Sequence, residues 1–239
     1  MIKTFFAFLY VAISMIFLVP FGVAAMLFYF LGIRKPMKLV VYRIAQGWAL
    51  SIIKVTGCKV TVYGKENIPK KGGVCFVGNH SGYFDIILLL AYCGRPVGFV
   101  AKKELLFVPF LNCWIFMIGG LFINRSSLKK AVRTINEGVK RIKSGGGMII
   151  FPEGHRSKEQ KLLPFHPGSL KLATMAEAPI VPVALEGSYD VFEKTYRFVR
   201  TSLKVTFCEP IITAGLPSGD RKVILCDRIY SVIKEKLGV

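Results

Sequence analysis

A histidine and an aspartate five positions apart stand where a plain turn would serve. The stretch "VCFVGNHSGYFDI", residues 74–86, leaves an apolar run that reads as a buried strand and enters Ile86 to Ala91, which reads as a helix. Gly and Asn alone turn a chain between two such elements, yet this turn adds His80 and, just beyond it, Asp85. On one continuous helix residues i and i+5 point about 140° apart, so the two side chains would not meet. With His80 in the strand-to-helix turn and Gly82 free to bend, Asp85 falls in the first helical turn and reaches back. A carboxylate on one imidazole nitrogen fixes the tautomer and leaves the other nitrogen as a base. The competing reading makes Asp85 a helix cap and His80 incidental.

Two further turns carry charge beyond apolar strands. "GGLFINRSS" puts Arg125 just past a strand, and "IIFPEGHRSKEQ" puts Glu153, His155 and Arg156 past another. The guanidinium of Arg156 can fork onto a phosphate, and the carboxylate of Glu153 can hold an arginine in place. Taken singly, each of these turns also suits a solvated surface.

The elements that must position these turns alternate along the chain. Met37 to Val55 reads as an amphipathic helix, with Met37, Val41, Ile44, Trp48, Ile52 and Val55 at spacings of three and four. Its apolar stripe suits docking on the core, or lying at a bilayer interface. Strands are expected at Lys59 to Tyr63, Val74 to Gly78, Val97 to Ala101, Leu121 to Asn124, Met148 to Phe151, Ile180 to Leu185 and Leu203 to Cys208. Helices are expected at Tyr83 to Tyr92, at Leu128 to Lys143 ahead of three glycines, near Gly168 to Ala176 and at Arg221 to Leu237, with one more interrupted by Pro109. Such alternation implies an α/β domain whose mostly parallel central sheet is flanked by helices on both faces. Ligands of such sheets gather at the strands' carboxyl ends, where the three charged turns fall.

The order "NHSGYFD", "GGLFINRSS", "FPEGHRS", "IVPVAL" resembles the four sequence blocks of the glycerolipid acyltransferases. It looks most like the small bacterial 1-acyl-sn-glycerol-3-phosphate acyltransferases. "FVAKKELLFVPFLN", between the first two blocks, is also similar to the family, and the likeness runs from about Gly72 to Leu185. The resemblance implies that His80 and Asp85 are the catalytic pair, His80 acting as base and Asp85 orienting it. It implies that Arg125, Glu153, Gly154 and Arg156 bind and position a glycerol phosphate, joined by Lys102 of the A-K-x-E-L stretch. Pro182, in the fourth block, would shape the acyl end of the site. Two positions depart from the family pattern: His155 replaces a usual threonine, adding a second titrating group, and Gly82 stands where a small hydroxyl residue is frequent.

The implied reaction is direct transfer of a fatty acyl group from a thioester to the sn-2 hydroxyl of 1-acylglycerol 3-phosphate, giving phosphatidic acid. Glycerol 3-phosphate or a lysophospholipid with a larger headgroup is the alternative acceptor; a non-enzymatic membrane scaffold is the rival from another class. Ser81, beside His80, is the challenger for a covalent route, although neighbours in a turn rarely face each other. No cofactor or metal is expected, and acyl carrier protein or coenzyme A would bring the acyl group.

Composition adds a membrane and an anionic partner. Of 239 residues 53% are apolar, and the 30 from Thr4 to Ile33 hold no charge. As one helix that run is about 45 Å long, against a hydrocarbon core of about 30 Å. Pro20 and Gly22, near its middle, favour a hairpin turning back within one leaflet, with a tilted span as the alternative. The run is too long for a signal-peptide core and shows no cleavage site. Residues 1–56 are thus expected as a membrane anchor and 57–239 as the α/β domain. Arg34, Lys35 and Lys38 follow the run, which sets the domain on the cytoplasmic face of the cell membrane. Beyond residue 33 lie 32 of the 33 basic and all 14 acidic residues, a net charge of +18. Such a surface suits anionic membrane lipids, phosphate-bearing substrates or an acidic carrier protein. No nucleic-acid-binding pattern accompanies it. The six cysteines lie scattered in mostly apolar runs with no C-x-x-C pair, so buried thiols are expected rather than zinc or disulfides.

Overall fold

The computed structural model describes residues 2–124, 126–157, 161–215 and 221–239. Two long helices, α1 (Ile2–Phe30) and α2 (Arg34–Thr56), precede an alternating domain. That domain runs β1 (Lys59–Tyr63), β2 (Val74–Gly78), α3 (Phe84–Tyr92), β3 (Val97–Lys102), α4 (Leu111–Met117), β4 (Leu121–Ile123), α5 (Leu128–Lys143) and β5 (Gly147–Ile150). It continues through α6 (Lys171–Ala176), β6 (Ile180–Glu186), α7 (Ser188–Val191), β7 (Ser202–Phe207) and α8 (Arg221–Leu237).

The seven strands form one sheet in the order β1-β7-β6-β2-β5-β3-β4. All neighbours are parallel except β6 and β7, which pair antiparallel. β2, β5 and all but the end of β6 are buried along their length, as continuous apolar strands in a sheet covered on both faces must be. One core, built from β-strand side chains with α2 and α3, fills one face; Phe76, Leu88, Leu89 and Ile149 lie at its centre. A second core under α6 and α8 fills the other face, with Met148, Leu170, Ile180 and Ile229. In parallel pairing Val77 lies opposite Ile150 and Pro182, so the turns leaving β2, β5 and β6 open on one rim.

Two helix boundaries follow directly from side chains. Ser127 caps α5 by accepting the Lys130 N–H, and Gly145, at φ +89°, ends the chain's climb after Ser144. α2 closes the same way, at Gly57 with φ +72°.

The N-terminal segment departs from the expected turn-back at Pro20 and Gly22. α1 is continuous through both, and the chain reverses at Gly32 instead, where φ is +103°. A proline inside a helix forfeits one backbone bond, and here the helix persists. Its packing supplies a reason: Ala7, Gly22 and Ala25 are buried, the Trp48 indole N–H donates to Ser14 Oγ, and the Trp114 indole N–H donates to the Met15 carbonyl. α2 runs back antiparallel to α1, with Val41 and Ala45 against Ala25. The buried side of α2 comprises Val41, Tyr42, Ala45, Ala49, Ile52 and Ile53 and leaves Val55 half-exposed. It is wider than the expected stripe because α2 is covered by α3 on one side and α1 on the other. The outer side of α1 stays apolar and exposed, with Phe5, Phe6, Leu9, Ile13, Phe17 and Phe21 among it. α1 is long and apolar enough to cross a membrane. All six cysteines are free thiols, and only Cys113 is exposed.

Candidate active site

β2 ends at Gly78 and α3 starts at Phe84, so His80 sits in the turn between them and Asp85 in the first turn of the helix. The two side chains meet: Asp85 Oδ2 lies 2.8 Å from His80 Nδ1. The same oxygen accepts the Ser81 N–H at 2.7 Å and the Gly82 N–H at 2.9 Å. Asp85 is fully buried, and its Oδ1 has no hydrogen-bond partner among the described residues. An oxygen that already accepts two backbone N–H groups meets the imidazole as an acceptor too, so Nδ1 carries the proton and Nε2 keeps its lone pair. The carboxylate thus ties down the turn and holds the imidazole with the same oxygen.

The imidazole is held on its other sides as well. Its ring stacks on Phe151 with centroids 4.1 Å apart and 18° between planes. The His80 N–H donates to Glu153 Oε1 at 2.7 Å, and the His80 carbonyl accepts the Ser157 N–H at 2.9 Å. One residue earlier, the Asn79 amide spans the Leu185 backbone, donating to its carbonyl at 2.9 Å and accepting its N–H at 2.8 Å. The fourth block thereby fastens the first. The ring keeps 19% of its surface open.

Glu153 turns its carboxyl group toward the turn between β2 and α3. It is buried, and its two oxygens accept the His80 and Leu163 N–H groups, so it braces the turn that bears His80, and among the described residues no arginine pairs with it. Burial pushes its carboxyl up to about 7, the two N–H donors oppose that rise, and the nearby charge of Asp85 adds to it. Gly154 takes φ +78° in the tight turn behind it. His155 is exposed.

Arg156 is held by a residue the sequence did not single out. Its Nη1 lies 3.0 Å from Glu193 Oε1, its Nη2 donates to the Tyr83 hydroxyl at 3.2 Å, and its guanidinium stacks 3.8 Å above the Tyr83 ring. Lys102 ends β3 and is exposed on the same rim, two strands from β2 and so about 10 Å across the sheet. Arg125 lies outside the described residues. Pro182 is buried inside β6 opposite Val77, away from the open rim. Sequence reasoning missed Asn79, Phe151 and Glu193; only Asn79, a lone amide in a turn directly before His80, left a local trace.

The arrangement is an imidazole held by a buried carboxylate at the mouth of a sheet, with an arginine and a lysine on the same rim and an apolar helix alongside. Known proteins resemble this chain in sequence and in fold. Residues 59–186 match the family model described as acyltransferase. A 1-acyl-sn-glycerol-3-phosphate acyltransferase of Borreliella burgdorferi is 34% identical over 60% of this chain and 58% of its own length. A Saccharomyces cerevisiae protein of the same name is 32% identical over 75% of this chain and 61% of its own. The match thus spans about three fifths of these curated relatives. The crystal structure of the 1-acyl-sn-glycerophosphate acyltransferase PlsC from Thermotoga maritima aligns with a TM-score of 0.83 at 28% identity, covering 99% of this chain and 95% of that one.

Proposed function

Because the chain belongs to the acyltransferase family, we propose that it transfers a fatty acyl group from a thioester to the sn-2 hydroxyl of 1-acylglycerol 3-phosphate, yielding phosphatidic acid. The observation that carries this reading is the imidazole whose Nδ1 is committed to a buried carboxylate, leaving Nε2 as base. An alcohol is almost un-ionised at neutral pH and needs its proton removed as it attacks. His80 Nε2 takes that proton while the sn-2 oxygen bonds to the thioester carbonyl carbon. Asp85 stabilises the imidazolium across the 2.8 Å contact. When the carbon–sulfur bond breaks, the imidazolium returns the proton to the departing thiolate. General-base assistance of this kind contributes about 10²–10⁴-fold.

Direct transfer fits the turn better than a covalent route: no hydrogen bond joins Ser81 Oγ to the imidazole among the described residues, and the Ser81 N–H is given to Asp85. Arg156 and Lys102 supply positive charge for the acceptor's phosphate, with Arg125 the remaining candidate, and Glu153 and Gly154 shape the turn that presents Arg156. The donor is the thioester of an acyl carrier protein or of coenzyme A, drawn by the surplus positive charge, and the reaction as written consumes no cofactor.

Lipid reaches the site through the anchor. The exposed phenylalanines of α1 offer a lipid-facing side, and Phe8 at its start packs on Phe192 and Phe198 beside the catalytic turn. The basic cluster after α1 argues for the cytoplasmic face of the cell membrane, where anionic headgroups meet a basic surface. The test is acyl transfer by the purified protein with lysophosphatidic acid, glycerol 3-phosphate and a lysophospholipid carrying a larger headgroup. Lysophosphatidic acid is expected to be the best acceptor; preference for either of the others would replace it in the proposal.

A further inference from the structure

We propose that Glu193 is a positioning residue for Arg156 and that Gly82 is the glycine that gives its carboxylate room. The inference rests on the reading that Arg156 meets the acceptor's phosphate. Glu193 lies beyond α7, outside the four sequence blocks and outside the segment matched by the family model. Its carboxylate nevertheless enters the catalytic rim, where Oε1 accepts the Tyr83 N–H at 2.6 Å and the Arg156 guanidinium at 3.0 Å. Its side chain is only 9% exposed, against 26% for Arg156. A carboxylate so enclosed is costly to leave without a partner.

Arg156 is thereby fixed by three contacts of different chemistry: an ion pair at one end of the fork, the Tyr83 ring under its face and the Tyr83 hydroxyl at Nη2. A guanidinium carries five N–H donors, so these bonds leave donors for a phosphate oxygen. Tyr83 is more than half exposed, and contacts with exposed partners hold a long side chain weakly. Glu193 is therefore the partner that sets the fork's direction.

Gly82 follows from the same packing. A Cβ there would lie 2.8 Å from the Ser188 carbonyl oxygen and 2.9 Å from Glu193 Oε2, closer than side-chain carbons approach. Space, not backbone conformation, excludes the small hydroxyl residue frequent at this position of the resembling family. The segment that bears Glu193 is itself pinned to the anchor. Phe192 stacks edge-on against Phe8 at 5.2 Å, and Thr4 Oγ1 accepts the Phe198 N–H.

The rival role for Glu193 is purely structural, as a distant acceptor for the first N–H groups of α3. Steady-state kinetics with lysophosphatidic acid varied at saturating acyl thioester separates the two, using the full chain, Glu193→Gln, Arg156→Ala and the double variant. Glu193→Gln keeps an oxygen for the Tyr83 N–H and loses the charge that draws Arg156. The expected result is a KM about tenfold higher, from the restored freedom of the arginine, with kcat within about twofold, and no further rise when the change is added to Arg156→Ala. An equal effect in both backgrounds overturns the proposal in favour of the structural role. An unchanged KM overturns it outright, and a lowered KM makes Glu193 a competitor for the arginine instead. If Arg156→Ala itself leaves KM unmoved, the phosphate reading fails and this inference falls with it. Gly82→Ser presses on the Ser188 carbonyl and on the carboxylate without removing it, and is expected to lower the melting temperature while raising KM in the same direction. An unchanged KM there overturns the pairing of Gly82 with Glu193, and this variant carries the test if Glu193→Gln does not fold.

Discussion

Replacing Asp85 by asparagine removes one charge and keeps the shape, so its effect can be worked from the contacts of a single oxygen. Oδ2 accepts three donors: His80 Nδ1–H and the N–H groups of Ser81 and Gly82. An amide NH2 placed there would face two backbone donors, so the substituted side chain must present its oxygen and the imidazole keeps its tautomer. What disappears is the negative charge facing the imidazolium formed during transfer. A unit charge pair at about 4 Å is worth ~4 kcal/mol at an effective dielectric constant of ~20, and the ring's partial exposure lowers that. A loss of about 2–3 kcal/mol in the transition state lowers kcat on the order of 10²-fold, one decade for each ~1.4 kcal/mol. A flipped tautomer would cost more, about 10⁴-fold. The assay is kcat for phosphatidic acid formation at saturating substrates, beside a melting curve showing the variant folded. Parent-like kcat would refute Asp85 as the stabiliser of the imidazolium; a 10⁴-fold fall would refute the argument that the backbone donors fix the amide's orientation.

Glu153 links stability to pH. Its carboxyl is raised from 4.5 to about 7, so between those values the folded protein binds more protons than the unfolded chain, and stability falls as pH rises through the window. Glu153→Gln is expected to flatten that fall, read as the melting temperature of both proteins from about pH 4.5 to about pH 7; parallel curves would show that the carboxyl titrates normally. Asn79→Ala leaves the Leu185 N–H and carbonyl unpaired in the interior. It should cost about 2–4 kcal/mol and lower the denaturant midpoint without changing the slope m. Changing exposed Phe5, Phe6 and Phe17 of α1 to Gln should shift the protein from the vesicle fraction to the soluble fraction in flotation with anionic vesicles, leaving the fold's circular dichroism unchanged. Retention on vesicles would assign membrane contact to another surface.

Much of the domain was legible because its signals are local. β2 and β5 are short apolar runs closed by glycine or proline, and α5 carries its cap at Ser127 and its stop at Gly145 within the chain. The His80–Asp85 contact was readable for the same reason, since five residues of turn geometry decide it. The direction of β7 was not, because alternation of side chains looks the same in parallel and antiparallel strands. The turn at Gly32 rather than Pro20 depended on Trp48, Trp114 and Met117 packing along α1, far away in sequence. Glu153 and Glu193 show the limit most clearly. Each carboxylate stands near an arginine in sequence or space, but which one meets Arg156 is settled by partners as distant as Tyr83, 110 residues from Glu193.

The central claim is that His80 removes the proton from the accepting hydroxyl. Its most direct test is the rate of phosphatidic acid formation from lysophosphatidic acid and an acyl thioester by the detergent-purified protein and its His80→Ala variant. The account predicts turnover in the parent and a loss of about 10³-fold or more in a variant that melts as the parent does. Equal rates in the two proteins would contradict it and remove His80 from the chemistry.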